Sequence, residues 1–115
     1  MSELARLGAA CLQPSFPGHV VPEWVARWLD RGLGGITLFA YNVGDPGQLA
    51  ELTAALRAER PELLISIDEE GGDVTRLEAA HGSSFPGNLA LGAVDDVALT
   101  RRVAERVVSA GGYPF

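Results

Sequence analysis

The residues with the plainest capacity for chemistry stand together at Asp68-Glu69-Glu70-Gly71-Gly72-Asp73-Val74-Thr75-Arg76-Leu77. Consecutive carboxylates, two glycines and a following arginine could accept hydrogen bonds from a polyol, share a proton or hold a cation. The segment follows the apolar run Leu63-Leu64-Ile65-Ser66-Ile67, which reads as a strand. In parallel α/β folds the C-terminal ends of strands carry the ligand site, so Asp68 would face a pocket mouth. Alternation puts Leu64, Ser66 and Asp68 on one face and Ile65, Ile67 and Glu69 on the other. If the first set points inward, Asp68 sits at the pocket floor. Gly71 and Gly72 permit positive φ and a close approach of backbone to ligand. An ordinary strand end followed by an acidic, glycine-rich turn has the same pattern, and both readings stay open.

Other chemistries fit these residues less well. Two carboxyls acting as an acid/base pair must stand about 5 to 9.5 Å apart across the bond they cleave, whereas neighbouring side chains on a strand diverge, so Asp68 and Glu69 are a poor pair. For magnesium the spacing favours a turn over a cage. Arg76 can pair with Asp68 or Glu70 as a loop-fixing ion pair. His19 and His81 each stand alone in loops without a ligand partner at metal spacing. Ser83-Ser84-Phe85-Pro86-Gly87 reads as a packing anchor. Trp24 and Trp28 fall at a spacing that suits the buried face of a helix. There is no phosphate-binding Gly-x-x-x-x-Gly-Lys, no Gly-x-Gly-x-x-Gly and no Gly-x-Ser-x-Gly.

The elements that must position the acidic segment follow a repeating rhythm. Short apolar runs begin evenly at Leu7, Gly35 and Leu63 and read as parallel strands covered on both faces, the first spanning about Leu7 to Leu12. Between the first two runs, Pro22 opens a helix carrying Trp24, Val25, Trp28 and Leu29 on one stripe, and Gly32 stops it. Between the next two, Asp45 is a natural N-cap with Pro46 after it, Leu49, Leu52 and Leu56 form the apolar stripe, and Pro61 ends the run. A third helix is expected from about Asp95 or Asp96 to Ala110, burying Leu99, Val103 and Val107, with Gly111-Gly112 as terminator. The connection from Glu69 to about Asn88 is longer than packing requires, as functional loops often are.

The fold class is therefore α/β, with three βα units. Eight such units would close a barrel of about 250 residues. Three alone would leave two open sheet edges, through which the chain could self-associate. At 115 residues and 47% hydrophobic the chain suits one domain or part of one. With 15 acidic residues against 9 basic ones, a net charge of -6 disfavours nucleic acid and anionic membranes as partners. All nine basic residues are arginine, which resembles codon bias more than chemistry. Cys11, the one cysteine, cannot form an intrachain disulfide or a thiolate zinc site, and fits a reducing cytoplasm. No stretch approaches the ~18 apolar residues of a membrane span. Leu7-Gly8-Ala9-Ala10-Cys11 imitates a lipoprotein cleavage site, but Glu3 stands where a positive charge belongs, so no signal peptide is expected.

Taken in order, these segments resemble the N-terminal part of the family 3 glycoside hydrolases, in particular the bacterial β-N-acetylhexosaminidase branch. Gly34-Gly35-Ile36-Thr37-Leu38-Phe39 with Asn42, Asp45 and Pro46 is similar to that family's second strand, turn and helix start. Ile67 to Leu77 is similar to its strand-end signature, usually Asp-Gln-Glu-Gly-Gly with Val and Arg downstream. Phe85-Pro86-Gly87-Asn88-Leu89-Ala90-Leu91-Gly92-Ala93 is similar to the Phe-Pro and Ala-x-Gly-Ala that follow. Glu69 stands where glutamine is usual, and Tyr41 where a basic residue is frequent.

The resemblance implies the first three βα units of a (β/α)8 TIM-type barrel, a saccharide substrate, and removal of terminal β-linked N-acetylglucosamine from cell-wall-derived saccharides with retention through a covalent intermediate. It implies neither a metal nor an organic cofactor. Asp68 matches the substrate-binding aspartate, with Glu70, Gly71, Gly72 and Arg76 supporting its loop. The family's nucleophile lies far downstream, its acid/base is a histidine on a mobile loop, and a Lys-His pair adds sugar contacts. None of these has a counterpart here, so no catalytic residue is assigned and the chain by itself is expected to be inactive. Gly112-Tyr113-Pro114-Phe115 does not resemble the next strand, which suggests a reading cut or altered after the third helix. A phosphorylase variant of the chemistry and a non-catalytic, self-associating module are the alternatives.

Overall fold

The computed structural model describes residues 1–109, which fall into two compact units, 1–67 and 68–109. The first unit opens with a helix, α1 (Glu3–Ala10), where the run from Leu7 to Leu12 suggests a strand. Local chemistry decides the matter: the Ser2 hydroxyl accepts the Ala5 N–H at 3.3 Å, Glu3 lies at the positive end of the helix dipole, and alanine and leucine favour helix. The sheet role passes to the residues just after it. Gly35 and Thr37 donate their N–H groups to the carbonyls of Leu12 and Pro14 at 3.1 and 3.0 Å. Pro14 has no N–H with which to return a bond, so this segment lies along the sheet without completing a ladder.

Among the described residues the regular sheet has two strands, β1 (Gly35–Leu38) and β2 (Leu64–Ile67), parallel and in register from Gly35 with Leu64 to Leu38 with Ile67. Parallel neighbours need a crossover, which α3 (Pro46–Glu59) supplies. Asp45 Oδ1 accepts the Gln48 N–H at 3.0 Å, Pro46 occupies the first turn, and Leu49, Leu52 and Leu56 are buried. The helix stops at Arg60, extended at φ -150° and ψ 104°, as expected for a residue before proline.

Helix α2 (Glu23–Asp30) follows Pro22 and touches α3. Val25 and Leu29 are buried, but Trp24 and Trp28 remain 39% and 38% exposed, which corrects the expectation that both lie in the core. Each tryptophan precedes a buried residue and is therefore turned by about 100° around the helix axis. With Leu12, Pro14 and Leu33 the two rings line a shallow apolar recess of about 170 Å³. The Arg31 guanidinium lies 5.7 Å from the Trp28 ring centre, a cation–π distance.

Ile36 and Leu38 on β1 are fully buried. Thr37 alternates to the other face, where its hydroxyl lies 3.3 Å from that of its register partner Ser66. Gln13 Nε2 donates to the same Ser66 oxygen at 2.6 Å. A polar row thus crosses all three extended segments on the face opposite the apolar core.

The second unit contains the turns of residues 68–87 and two helices, α4 (Asn88–Val94) and α5 (Val97–Ser109). Asp95, at φ 54°, separates the helices, and Asp96 Oδ1 caps α5 by accepting the Leu99 N–H at 2.9 Å. Leu99, Val103 and Val107 form the expected stripe but are only half-buried, and no residue of α5 is fully buried. Of the twelve buried apolar residues described, only Leu91 belongs to this unit. Hydrogen bonds and close backbone contacts must therefore hold the acidic loop. The expected terminator Gly111-Gly112 and the segment Gly112 to Phe115 lie outside the described residues.

Candidate functional site

The acidic segment folds as a tight turn rather than a strand extension. Glu70 N–H donates to the Val74 carbonyl at 2.9 Å and Val74 N–H to the Gly71 carbonyl at 3.2 Å. Gly71 and Gly72 have φ of 79° and 58°, conformations that cost little only for glycine. Gly72 N–H donates to the Phe85 carbonyl at 2.8 Å. A Cβ on Gly71 would lie 2.6 Å from the Pro86 carbonyl oxygen, and one on Gly72 would lie 2.8 Å from Gly87 Cα. The backbone that approaches both glycines is thus the chain's own 85–87 segment, and Phe85 anchors the loop through its carbonyl as well as its half-buried ring.

The three consecutive carboxylates make three different kinds of contact. Asp68 Oδ2 faces Arg76 Nη2 at 3.7 Å, with 56% of the Asp68 side chain and 30% of the Arg76 side chain exposed. Glu69 Oε2 accepts the backbone N–H groups of Arg76 at 2.9 Å and Leu77 at 3.1 Å. Glu70 Oε2 accepts from Asn88 Nδ2 at 3.1 Å. This divergence leaves no shared proton and no cage, and among the described residues no three His, Cys, Asp or Glu side chains converge to hold a metal ion. Of the residues singled out, the structure joins Asp68 to Arg76, ties Glu70 to the start of α4 and packs Gly71 and Gly72 under residues 85–87.

Farther along, Thr75 is buried and its hydroxyl accepts the Glu78 N–H at 3.0 Å. Glu78 accepts the Ser84 hydroxyl at 2.6 Å and the Ser84 N–H at 2.7 Å. Those two bonds, the hydroxyl's foremost, hold its carboxyl below the usual glutamate value, with His81 adding a smaller pull in the same direction. His81 is exposed, with Nδ1 3.2 Å from the Gly82 carbonyl oxygen.

Sequence reasoning did not single out the jobs of Glu69 and Asn42. In the first unit Asn42 is fully buried. Its Oδ1 accepts the Phe39 N–H at 2.9 Å, and its Nδ2 donates to the carbonyls of Phe16 and Gly18, both at 2.8 Å. The short 3-10 turn Ala40–Asn42 after β1 is thereby fixed. Beside it, the exposed Tyr41 donates its hydroxyl to Ser15 Oγ at 2.9 Å and sets its ring 5.6 Å from that of Phe39. The signal for Asn42 was its place just past a strand, where a short amide can bridge two loops; that for Glu69 was the face opposite Asp68.

Chemically, the second unit offers a solvent-facing carboxylate with a cationic neighbour, braced by hydrogen bonds behind it. Such a group can bind hydroxyls.

The model of the glycosyl hydrolase family 3 N terminal domain matches residues 8–110. A beta-hexosaminidase of Pseudomonas aeruginosa (strain LESB58) is 53% identical over 45 residues, which is 39% of this chain and 14% of that protein. Beta-hexosaminidase A of Pseudoalteromonas piscicida is 40% identical over 77 residues, 62% of this chain and 12% of that protein. Among solved structures, a glycoside hydrolase family 3 beta-N-acetylglucosaminidase from Paenibacillus sp. str. FPU-7 superposes with a TM-score of 0.81 at 33% identity, covering 96% of this chain and 22% of that one. The chain thus spans a small part of the length of each relative. Its turn at Asp68 to Leu77, its parallel βα arrangement and its match along residues 8–110 agree on one assignment: the chain belongs to the N-terminal domain of glycosyl hydrolase family 3.

Proposed function

We infer that this chain supplies one wall of a saccharide site in a family 3 glycoside hydrolase whose whole reaction removes terminal β-linked N-acetylglucosamine from cell-wall-derived saccharides. The observation that carries this reading is the Asp68 carboxylate, held in the turn just past β2, 56% exposed and 3.7 Å from Arg76. An ionised carboxylate accepts hydrogen bonds only, and two adjacent sugar hydroxyls present the donors it needs. Arg76 screens its charge without burying it. Glu70, Gly71 and Gly72 hold the loop, so that Asp68 meets the ligand preorganised.

In this reading the Leu12–Pro14 segment with α2, β1 with α3, and β2 with α5 are the first three units of a (β/α)8 barrel. The names of the relatives and the family match support the substrate class. The nucleophile and proton donor belong to parts of the family's pattern outside residues 1–115, so Asp68 binds and does not attack. No helix among the described residues is long and apolar enough to cross a membrane, and the unpaired, exposed Cys11 suits a cytoplasmic setting. Incubation of the chain with a chromogenic N-acetylglucosaminide tests the division of labour. The expected result is no turnover; turnover abolished by Asp68→Ala would refute it.

A second reading, self-association through the sheet, is favoured by β2, which pairs on one side only among the described residues and exposes 60% of Leu64. Sedimentation equilibrium separates the two: a monomer that binds sugar supports the first, and a concentration-dependent oligomer that does not bind supports the second.

A further inference from the structure

We propose that Glu69 is the positioning residue of this site, acting on the sugar-binding Asp68 through Arg76. The proposal rests on the saccharide reading and adds a role that reading does not contain. One oxygen, Glu69 Oε2, accepts both the Arg76 N–H at 2.9 Å and the Leu77 N–H at 3.1 Å. Two hydrogen bonds from consecutive amides to one acceptor oxygen fix the path of that backbone. Arg76 is the residue whose guanidinium stands 3.7 Å from Asp68. Glu69 therefore clamps the far end of the turn from within and delivers the arginine to the carboxylate beside its own position.

The other contacts of the segment leave this task to it. Glu70 is committed to Asn88, and the Gly71 and Val74 bond closes only the inner part of the turn. Glu69 spends one oxygen on backbone amides, whereas Asp68 meets only the Arg76 guanidinium and keeps 56% of its side chain exposed. The required feature is an oxygen acceptor at that spot and not a negative charge. Glutamine, with one amide oxygen in the same place, can make both bonds, whereas alanine can make neither.

The test compares the wild-type chain with Glu69→Ala, Glu69→Gln, Arg76→Gln and the double variant Glu69→Ala/Arg76→Gln, titrating each with N-acetylglucosamine by NMR. Glu69→Ala is expected to weaken binding about tenfold, the loss of roughly one such interaction, and Glu69→Gln to restore the wild-type value. If Glu69 works through Arg76, the double variant binds as weakly as either single one and no worse. Additive losses, or a glutamine variant as poor as the alanine one, would overturn the proposal. A second readout needs no sugar: the Arg76 and Leu77 amides should lose protection from exchange in Glu69→Ala and keep it in Glu69→Gln. Protection unchanged in Glu69→Ala refutes the clamp, while intact protection differences with no sugar binding in the wild type refute the saccharide reading instead. Should Glu69→Ala fail to fold, Glu69→Gln still decides, since it must match the wild type in both measurements.

Discussion

Arg76 returns across the acidic turn to face Asp68, Nη2 to Oδ2 at 3.7 Å, while its own N–H is held by Glu69. The exposed aspartate owes its cationic neighbour to a bond made by the residue next to it in sequence. Both partners are partly open to solvent, so the pair shapes the site more than it stabilises the fold. Replacing Arg76 by glutamine should cost less than about 1 kcal/mol in urea unfolding, as exposed ion pairs do. A larger loss would mean that Arg76 anchors the unit structurally.

Gly71 should be much less tolerant than Gly82, although both have positive φ, 79° and 85°. A Cβ at Gly82 meets nothing within 4 Å, whereas one at Gly71 would meet the Pro86 carbonyl at 2.6 Å. Gly82→Ala should therefore cost only backbone strain, about 1 kcal/mol. Gly71→Ala should cost that and the displacement of residues 85–87, visible as a lower denaturation midpoint and an altered Gly72 amide signal. Equal costs would contradict the packing argument.

Asn42→Ala should destabilise the first unit by about 3 kcal/mol, because it strips partners from the Phe39 N–H and from the carbonyls of Phe16 and Gly18, and unsatisfied buried groups cost about 1–3 kcal/mol each. Asn42→Asp should do no better, since a carboxylate oxygen would then face those carbonyls. Chemical denaturation of the two variants against wild type measures this directly.

Acid should loosen the 78–84 turn. The two Ser84 bonds lower the Glu78 carboxyl below its ordinary value of 4.5. Its contribution is therefore complete above that value and is lost as pH falls through the lower folded-state value. The Ser84 amide, followed by NMR on acidification, should show this transition, and Ser84→Ala should move it upward in pH. A Ser84 amide indifferent to pH would refute the link.

How far the sequence discloses this protein depends on how local the deciding forces are. Helix α3 was fully legible, since Asp45, Pro46 and the Leu49, Leu52, Leu56 stripe act within one element and lie where the spacing puts them. The run Leu7 to Leu12 is apolar enough for either strand or helix, and the cap at Ser2 with the donor-less Pro14 decides for a helix followed by an extended segment. Helix α4 went unread because Asn88–Val94 is short and carries no side-chain cap. At the site, residue type discloses that Arg76 can pair with Asp68 or Glu70 and that Gly71 and Gly72 can take positive φ, but not that Asp68 is the partner or that residues 85–87 are what approaches the glycines. Nor does it disclose the clamp by Glu69, because that depends on which amides a folded turn brings to one oxygen. Asn42 is invisible for the same reason: its partners at Phe16 and Gly18 lie far back along the chain.

Whether Asp68 is a sugar-binding carboxylate is decided by titrating wild type, Asp68→Asn and Asp68→Ala with N-acetylglucosamine. Measurable binding is expected for the wild type, a loss of about tenfold or more in Asp68→Ala as a charge-assisted bond disappears, and an intermediate loss in Asp68→Asn, with all three folded alike. Equal affinity in all three proteins would contradict that role.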